Sequence, residues 1–366
     1  MSDEVYKKLA EVFRSFPNGF PETKSGIEIR MLKRMFTQEE AEFLSELRQF
    51  ETAASMAEKF GASEEDTLSK LNMMVLRRFV RKEIKEGVEE FRLQPFIVGV
   101  YEAHMLQNPE DHEFAHLFEI YMAQTGAKEI LEPRPGVMRV VPVTHSLEHR
   151  VVPVSGSVKP DKILPEDDIR GRVLNAKSYM LLDCICRIER ELEGHACKVS
   201  GKKVCFGWSA EEIPENPYTI SKEEAIKIFD DCEAKGLVHL VINEFNYHHS
   251  CMCCGCCCGV LRGLNDWGLE EAPHRSNYRA VINSDECIAC GTCIERCQVH
   301  AISEEDDGKA VVNRKKCIGC GQCVIGCPVD AIELELVSEE ERTYFPADFA
   351  SWERERIENL KKLGKA

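Results

Sequence analysis

Apolar residues recur at helical spacing through the first third of the chain. Residues 1–30 read as a short amphipathic helix followed by a loop, broken at Phe16-Pro17-Asn18-Gly19-Phe20-Pro21. Thr37-Gln38-Glu39-Glu40 forms a capping box ahead of the stripe Ala41, Phe43, Leu44 and Leu47. A second helix near Ala53–Phe60 should end at Gly61, a natural left-handed terminator. Ser63 can cap a third helix with Asp66 in its first turn, carrying Leu68, Leu71, Met74, Val75 and Leu76. The period then changes. Phe79-Val80-Arg81-Lys82-Glu83-Ile84 and Phe91-Arg92-Leu93 alternate around Glu86-Gly87-Val88, which predicts a β-hairpin. Residues 101–131 return to helix and stop at Glu132-Pro133-Arg134-Pro135-Gly136.

Beyond that break the elements mix. Arg139-Val140-Val141-Pro142-Val143 predicts a short strand, and the loop-rich stretch 144–163 should join two domains. A helix near Pro165–Ala176 leads into the apolar strand Tyr179–Leu182. A helix near Ser221–Lys235 leads into Leu237–Val241. Residues 280–335 contain the one clear internal repeat, and the tail from Ser338 is charged, with a helix near Trp352–Leu363. The expected architecture is α+β and multidomain: a helical domain over 1–135, an α+β Cys-rich domain over 136–278, a cluster domain over 279–336 and a charged helical tail over 337–366. No apolar run reaches the roughly 18 residues that would predict a membrane-spanning helix.

Cysteine usage changes the picture most. Nineteen cysteines would suggest disulfides in a small secreted protein, but this chain has 366 residues and opens on a polar segment in which no signal peptide is expected. In a reducing compartment such cysteines are metal ligands or redox thiols, and the cytoplasm is the expected address. Cys287, Cys290, Cys293 and Cys297 form one C-x2-C-x2-C-x3-C run, and Cys317, Cys320, Cys323 and Cys327 form a second, followed by Pro328. This spacing holds iron–sulfur clusters, because soft thiolates select clusters, zinc or copper(I) over hard metals. The alternative, zinc, more often takes two separated cysteine pairs. Gly291, Gly319 and Gly321 let the backbone turn tightly around such a group. Short strands should flank each loop, Arg279–Ile282 with Ala301-Ile302 and Ala310–Val312 with Ala331–Glu333.

Ten more cysteines lie in the middle region: Cys184, Cys186, Cys197 and Cys205, then Cys251, Cys253, Cys254, Cys256, Cys257 and Cys258. They are candidates for a third centre, either an iron–sulfur cluster or zinc, with metal-free thiols as the alternative. On an extended segment Cys254, Cys256 and Cys258 would face one way, and Cys251, Cys253 and Cys257 the other. His195, His248 and His249 are close enough in sequence to ligate, although surface or packing roles are the simpler expectation. Cys232 should sit in a helix core.

The twin runs resemble bacterial two-cluster ferredoxins over residues 280–335. In that family the fourth cysteine of each run serves the other cluster. The resemblance therefore implies Cys287, Cys290, Cys293 and Cys327 around one 4Fe-4S cluster, and Cys317, Cys320, Cys323 and Cys297 around the other. Gln298 stands where the family pattern has proline, which alters the turn but removes no ligand. Three helices and a hairpin near the N-terminus look like a winged helix. Arg77, Arg78, Arg81, Lys82 and Lys85 gather there, as a DNA-reading face or simply a solvated basic face. The whole arrangement resembles a group of multidomain iron–sulfur proteins from anaerobes, which sharpens the architecture more than the reaction.

The expected function is single-electron transfer through two 4Fe-4S clusters between redox partner proteins. The alternatives are a redox-sensing winged-helix regulator that binds DNA, and an oxidoreductase component with catalysis at a middle-domain centre. A net charge of −16, from 63 acidic and 47 basic residues, disfavours nonspecific nucleic-acid binding. No nucleotide-binding glycine motif and no nucleophile–histidine–acid set is visible.

Overall fold

The capping signals near the N-terminus act where the pattern places them. In the computed structural model, which describes residues 3–143, 151–153, 164 and 166–363, Thr37 Oγ1 accepts the Glu40 N–H at 3.2 Å. The Glu40 carboxylate in turn accepts the Thr37 N–H at 2.9 Å. Helix Gln38–Leu44 follows. Helix Ala53–Phe60 ends at Gly61 with φ +62°, and Ser63 Oγ accepts the Asp66 N–H at the start of Glu64–Leu76. Strands β1 (Val80–Lys85) and β2 (Val88–Leu93) form the expected hairpin, with Lys85 opposite Val88. Glu86 and Gly87 both have positive φ in its turn.

These elements belong to the first of two compact units, which holds the chain up to Ile130 together with Leu192–Gly194. Its core includes the aromatic group Phe13, Phe20, Phe96 and Tyr121. Helix Ile27–Met35 lies partly where the sequence suggests loop. A local side-chain device starts it: Thr23 Oγ1 accepts the Ile27 N–H, and Glu28 accepts the Thr23 N–H, each at 3.1 Å. The basic residues around the hairpin are matched by acids. Arg77 pairs with Glu40, Arg81 with Glu83, Lys82 with Glu89 and Lys85 with Glu90.

The second unit runs from Leu131 to Lys362 apart from those three residues. Its frame is a six-stranded sheet of β3 (Met138–Val141), β5 (Ser178–Asp183), β6 (Lys203–Ser209), β7 (Thr219–Ile220), β8 (Val238–Ile242) and β9 (His249–Cys253). The order is β3-β8-β9-β6-β5-β7, with every pairing antiparallel. Helix Lys222–Ala234 contributes Ala225, Phe229 and Cys232 to a core with Tyr179, Phe206, Trp208, Val241 and Met252. The strands β3, β5 and β8 lie close to the predicted ones, whereas β6 and β9 were not anticipated. They carry one cysteine (Cys205) and two cysteines (Cys251 and Cys253), respectively, a residue that behaves as a small apolar one once buried. The joining stretch 144–163 lies outside the described residues except for β4 (Val151–Pro153), and Pro165 lies outside them too.

The repeat supplies β10 (Tyr278–Ile282), β11 (Ile302–Glu304), β12 (Ala310–Val312) and β13 (Ile332–Leu336). These strands flank the loops at the expected places. They pair across the repeats: β10 with β13, Ile282 opposite Ile332, and β11 with β12, Ile302 opposite Val312. β13 also pairs in parallel with β4.

The charge of the C-terminal helix, Phe349–Lys362, conceals a docking face. Trp352 and Arg356 are buried. The Trp352 indole N–H donates to Gly136 O at 3.0 Å. Arg356 donates to the carbonyls of Pro133 and Pro135, and Asn359 to that of Arg134. The helix thus satisfies carbonyls of the turn 133–136. Trp352→Ala should cost about 3–5 kcal/mol, read as a lower denaturation midpoint. An unchanged midpoint would mean that the helix contributes no packing. Among the described residues, no helix is long and apolar enough to cross a membrane.

Candidate metal centres

The two cysteine runs fold into two thiol-lined cavities. Cys287, Cys290, Cys293 and Cys327 line the first, with Ile282, Ile288, Val329 and Ile332 among its walls. Cys297, Cys317, Cys320 and Cys323 line the second, with Ala280, Val299, Ile302 and Ile318. Each cavity therefore draws three thiols from one run and the fourth from the other. The pairing of strands across the repeats causes this crossing, because it sets the end of each run against the loop of its neighbour. Short helices, Thr292–Arg296 and Gln322–Ile325, begin just after Gly291 and Gly321. Both glycines adopt left-handed φ, +75° and +77°.

Backbone amides point at sulfur in both cavities. The Ala301 N–H donates to Cys297 Sγ at 3.2 Å, and the Ala331 N–H to Cys327 Sγ at 3.3 Å. Burial raises the Cys320 thiol to about 12 and pushes Cys323 well above the usual thiol range. A thiolate at either position needs a bound cation to offset its desolvation. Eight soft donors, amide contacts to sulfur and apolar walls form a donor set suited to iron–sulfur clusters.

The cavities differ in exposure. Both hold buried thiols, Cys293 in the first and Cys317 and Cys323 in the second, but the first alone has an exposed one, Cys290, with Ile288 beside it 59% exposed. The second cavity also adjoins the middle region. Gln298 accepts the Gly255 N–H through Oε1 at 2.9 Å. Its backbone carbonyl accepts from Asn265 Nδ2 at 2.9 Å. Arg296, on the other side of Cys297, donates to the carbonyls of Glu233 and Ala234 at the end of helix Lys222–Ala234. Residues flanking one second-cavity thiol thus tie it to the cysteine-rich sheet. The sequence flagged Gln298 as a departure from the family pattern, but nothing in it marked Arg296.

The ten middle cysteines divide into two groups. Cys197, Cys254, Cys256 and Cys257 converge, with all four sulfurs within 4.8 Å of one another. In the other group Cys184 is hydrogen-bonded to Cys186, Cys251 to Cys205 and Cys253, and Cys253 to Cys258. Cys205 and Cys251 are direct cross-strand partners of β6 and β9. Hydrogen bonds from Cys205 and Cys253 hold the Cys251 thiol well below its usual range.

This division corrects the expected alternation. The extended segment ends with β9 at Cys253. The backbone then turns, and Cys258 sits at the start of helix Gly259–Asn265. The turn gathers Cys254, Cys256 and Cys257 and separates them from Cys258. Among the histidines, His195 and His248 are exposed. His249 is half-buried near Cys251, and desolvation lowers its pKa. Cys232 is buried in the core, with its thiol raised to about 11 by desolvation.

A family model described as a 4Fe-4S dicluster domain matches residues 280–334. No curated protein matches the chain. The match covers the repeat and leaves the rest of the sequence outside it, so the chain carries a ferredoxin-like 4Fe-4S domain near its C-terminus.

Proposed function

We propose that this protein carries single electrons through two 4Fe-4S clusters. Cys287, Cys290, Cys293 and Cys327 would hold one, and Cys297, Cys317, Cys320 and Cys323 the other. The observation that carries the reading is the pair of four-thiol cavities within the segment matched by the dicluster family. A bound cluster takes up and returns one electron at a time, at a potential set by charge, hydrogen bonds and exposure.

The chain's own residues do the rest. The Ala301 and Ala331 amides contribute hydrogen bonds to the fourth thiol of each set. Ile288 and Val329 give the first cavity an apolar rim that is partly exposed, suited to contact with a redox partner. The second cavity, with no exposed thiol, would pass electrons inward, toward the cysteines fastened to it through Gln298. Cys184, Cys186, Cys205, Cys251, Cys253 and Cys258 are the donors available for a further iron–sulfur centre. Such a centre is also where an oxidoreductase activity would reside.

A DNA-reading regulator has less support. Arg77, Arg81, Lys82 and Lys85 of the winged-helix-like segment are each already paired with a glutamate. Phosphate contacts would have to break those pairs.

Iron and sulfide analysis of protein made without air tests the proposal. About eight irons per chain correspond to two cubanes, and about twelve to a third cluster. The acidic chain disfavours an added electron, so both ferredoxin-like centres should titrate at low potential. Colourless protein without labile sulfide would overturn the assignment, and potentials above zero would overturn the electrostatic argument.

A further inference from the structure

We infer that Cys197, Cys254, Cys256 and Cys257 form a separate site for one tetrahedral zinc ion, distinct from every iron–sulfur centre. The spacing of the sulfurs carries this. Cys197 Sγ lies 3.6 Å from Cys254 Sγ and 3.9 Å from Cys256 Sγ. Cys256 Sγ lies 3.4 Å from Cys254 Sγ and 3.6 Å from Cys257 Sγ. Four thiolates at about 2.3 Å from one zinc ion sit about 3.8 Å apart along the edges of a tetrahedron. A cubane requires a wider ring, because each thiolate must reach a different iron at a different corner.

The surroundings suit a thiolate-bound cation. The buried Arg187 guanidinium donates to Cys197 Sγ at 3.3 Å and to Cys254 Sγ at 3.5 Å. Its terminal nitrogens are also fixed by Met252 O, both at 3.2 Å. Four thiolates and one zinc ion leave two negative charges, and Arg187 offsets one of them. The amides of Val199 and Ser200 point at Cys197, and that of Lys198 at Cys256. These second contacts orient the ligands and spread their charge. With four protein donors no position is left open, which is the arrangement of a structural zinc site rather than a catalytic one.

The structural consequence is local. The site pins the loop around Cys197 to the turn 254–257, beside the six remaining cysteines. Gly255, inside that turn, donates to Gln298. A fixed, redox-silent ion here would hold the seam to the second cavity without accepting electrons.

Zinc and iron should be counted together by mass spectrometry on the full-length protein purified without air. The expected result is about one zinc per chain in addition to the cluster iron. In Cys256→Ser, which alters the exposed ligand, zinc should fall to background with iron unchanged. Cobalt supplied in place of zinc should give the absorption bands of a tetrahedral tetrathiolate. Iron lowered by about four in Cys256→Ser would make Cys256 a cluster ligand and overturn the proposal. Zinc-free wild-type protein, or a single iron in that position, would overturn it too. Should Cys256→Ser not fold, zinc released from the wild-type protein by a mercurial, scored against thiols consumed, gives the same answer. Because zinc and iron are counted separately, failure here leaves the electron-transfer assignment standing, and the reverse holds.

Discussion

Cys327→Ser should remove about four irons per chain and free Cys287, Cys290 and Cys293, the thiols of the opposite run. Serine keeps the shape of the side chain but replaces a soft donor with a hydroxyl, a poor cluster ligand. In sequence Cys327 closes the second run, so a simple reading would have its loss damage the second loop. In the folded chain it lines the first cavity, because β10 pairs with β13 and carries the end of one run to the start of the other. Alkylation of the anaerobic protein followed by peptide mass mapping distinguishes the two cases. Labelling of Cys287, Cys290 and Cys293 supports the crossed arrangement. Labelling of Cys317, Cys320 and Cys323 instead would refute it. Cys297→Ser is the mirror experiment and should expose the second set.

Gly319→Ala should unseat the second centre and destabilise the unit around it. An added methyl would lie 2.1 Å from Tyr278 O and 2.2 Å from Ser276 Oγ. Tyr278 begins β10, and Ser276 donates to the Gly319 carbonyl at 2.7 Å, so both obstacles belong to a fixed frame. Gly319 also has φ +71°, where a side chain costs about 1–2 kcal/mol. The overlap adds about 1–3 kcal/mol more as the loop shifts. The expected outcome is a lower denaturation midpoint with selective loss of iron from the second cavity. Gly291→Ala is the control. Its φ is +75°, but nothing lies within 4 Å of the added methyl, so it should carry the conformational cost alone. Equal effects of the two substitutions would remove the packing argument.

Much of this is legible in the sequence. Capping residues such as Thr37 and Ser63, and the terminator Gly61, act within a few positions of themselves, so the pattern places their helices well. The twin runs were legible for the same reason: ligand spacing inside one loop is a local property. The middle cysteines were not, because their grouping depends on where β9 stops and on which strand lies beside it. Cys205 meets Cys251 only through the sheet register, and Cys197 meets Cys254 across a long stretch of chain. Helix Ile27–Met35 was missed because its start is set by Thr23 and Glu28, a side-chain arrangement outside the familiar capping sequences. The docking face of the C-terminal helix was hidden by its charge, since Arg356 is buried as a donor to carbonyls rather than exposed as a surface cation.

The unequal exposure of the two thiol-lined cavities gives the domain a polarity. The ring that contains Cys290 has a thiol open to solvent, while in the other ring Cys317 and Cys323 are buried and Cys297 and Cys320 are half-buried. A repeat that is symmetric in sequence thereby acquires a front door at Cys290 that its second half lacks.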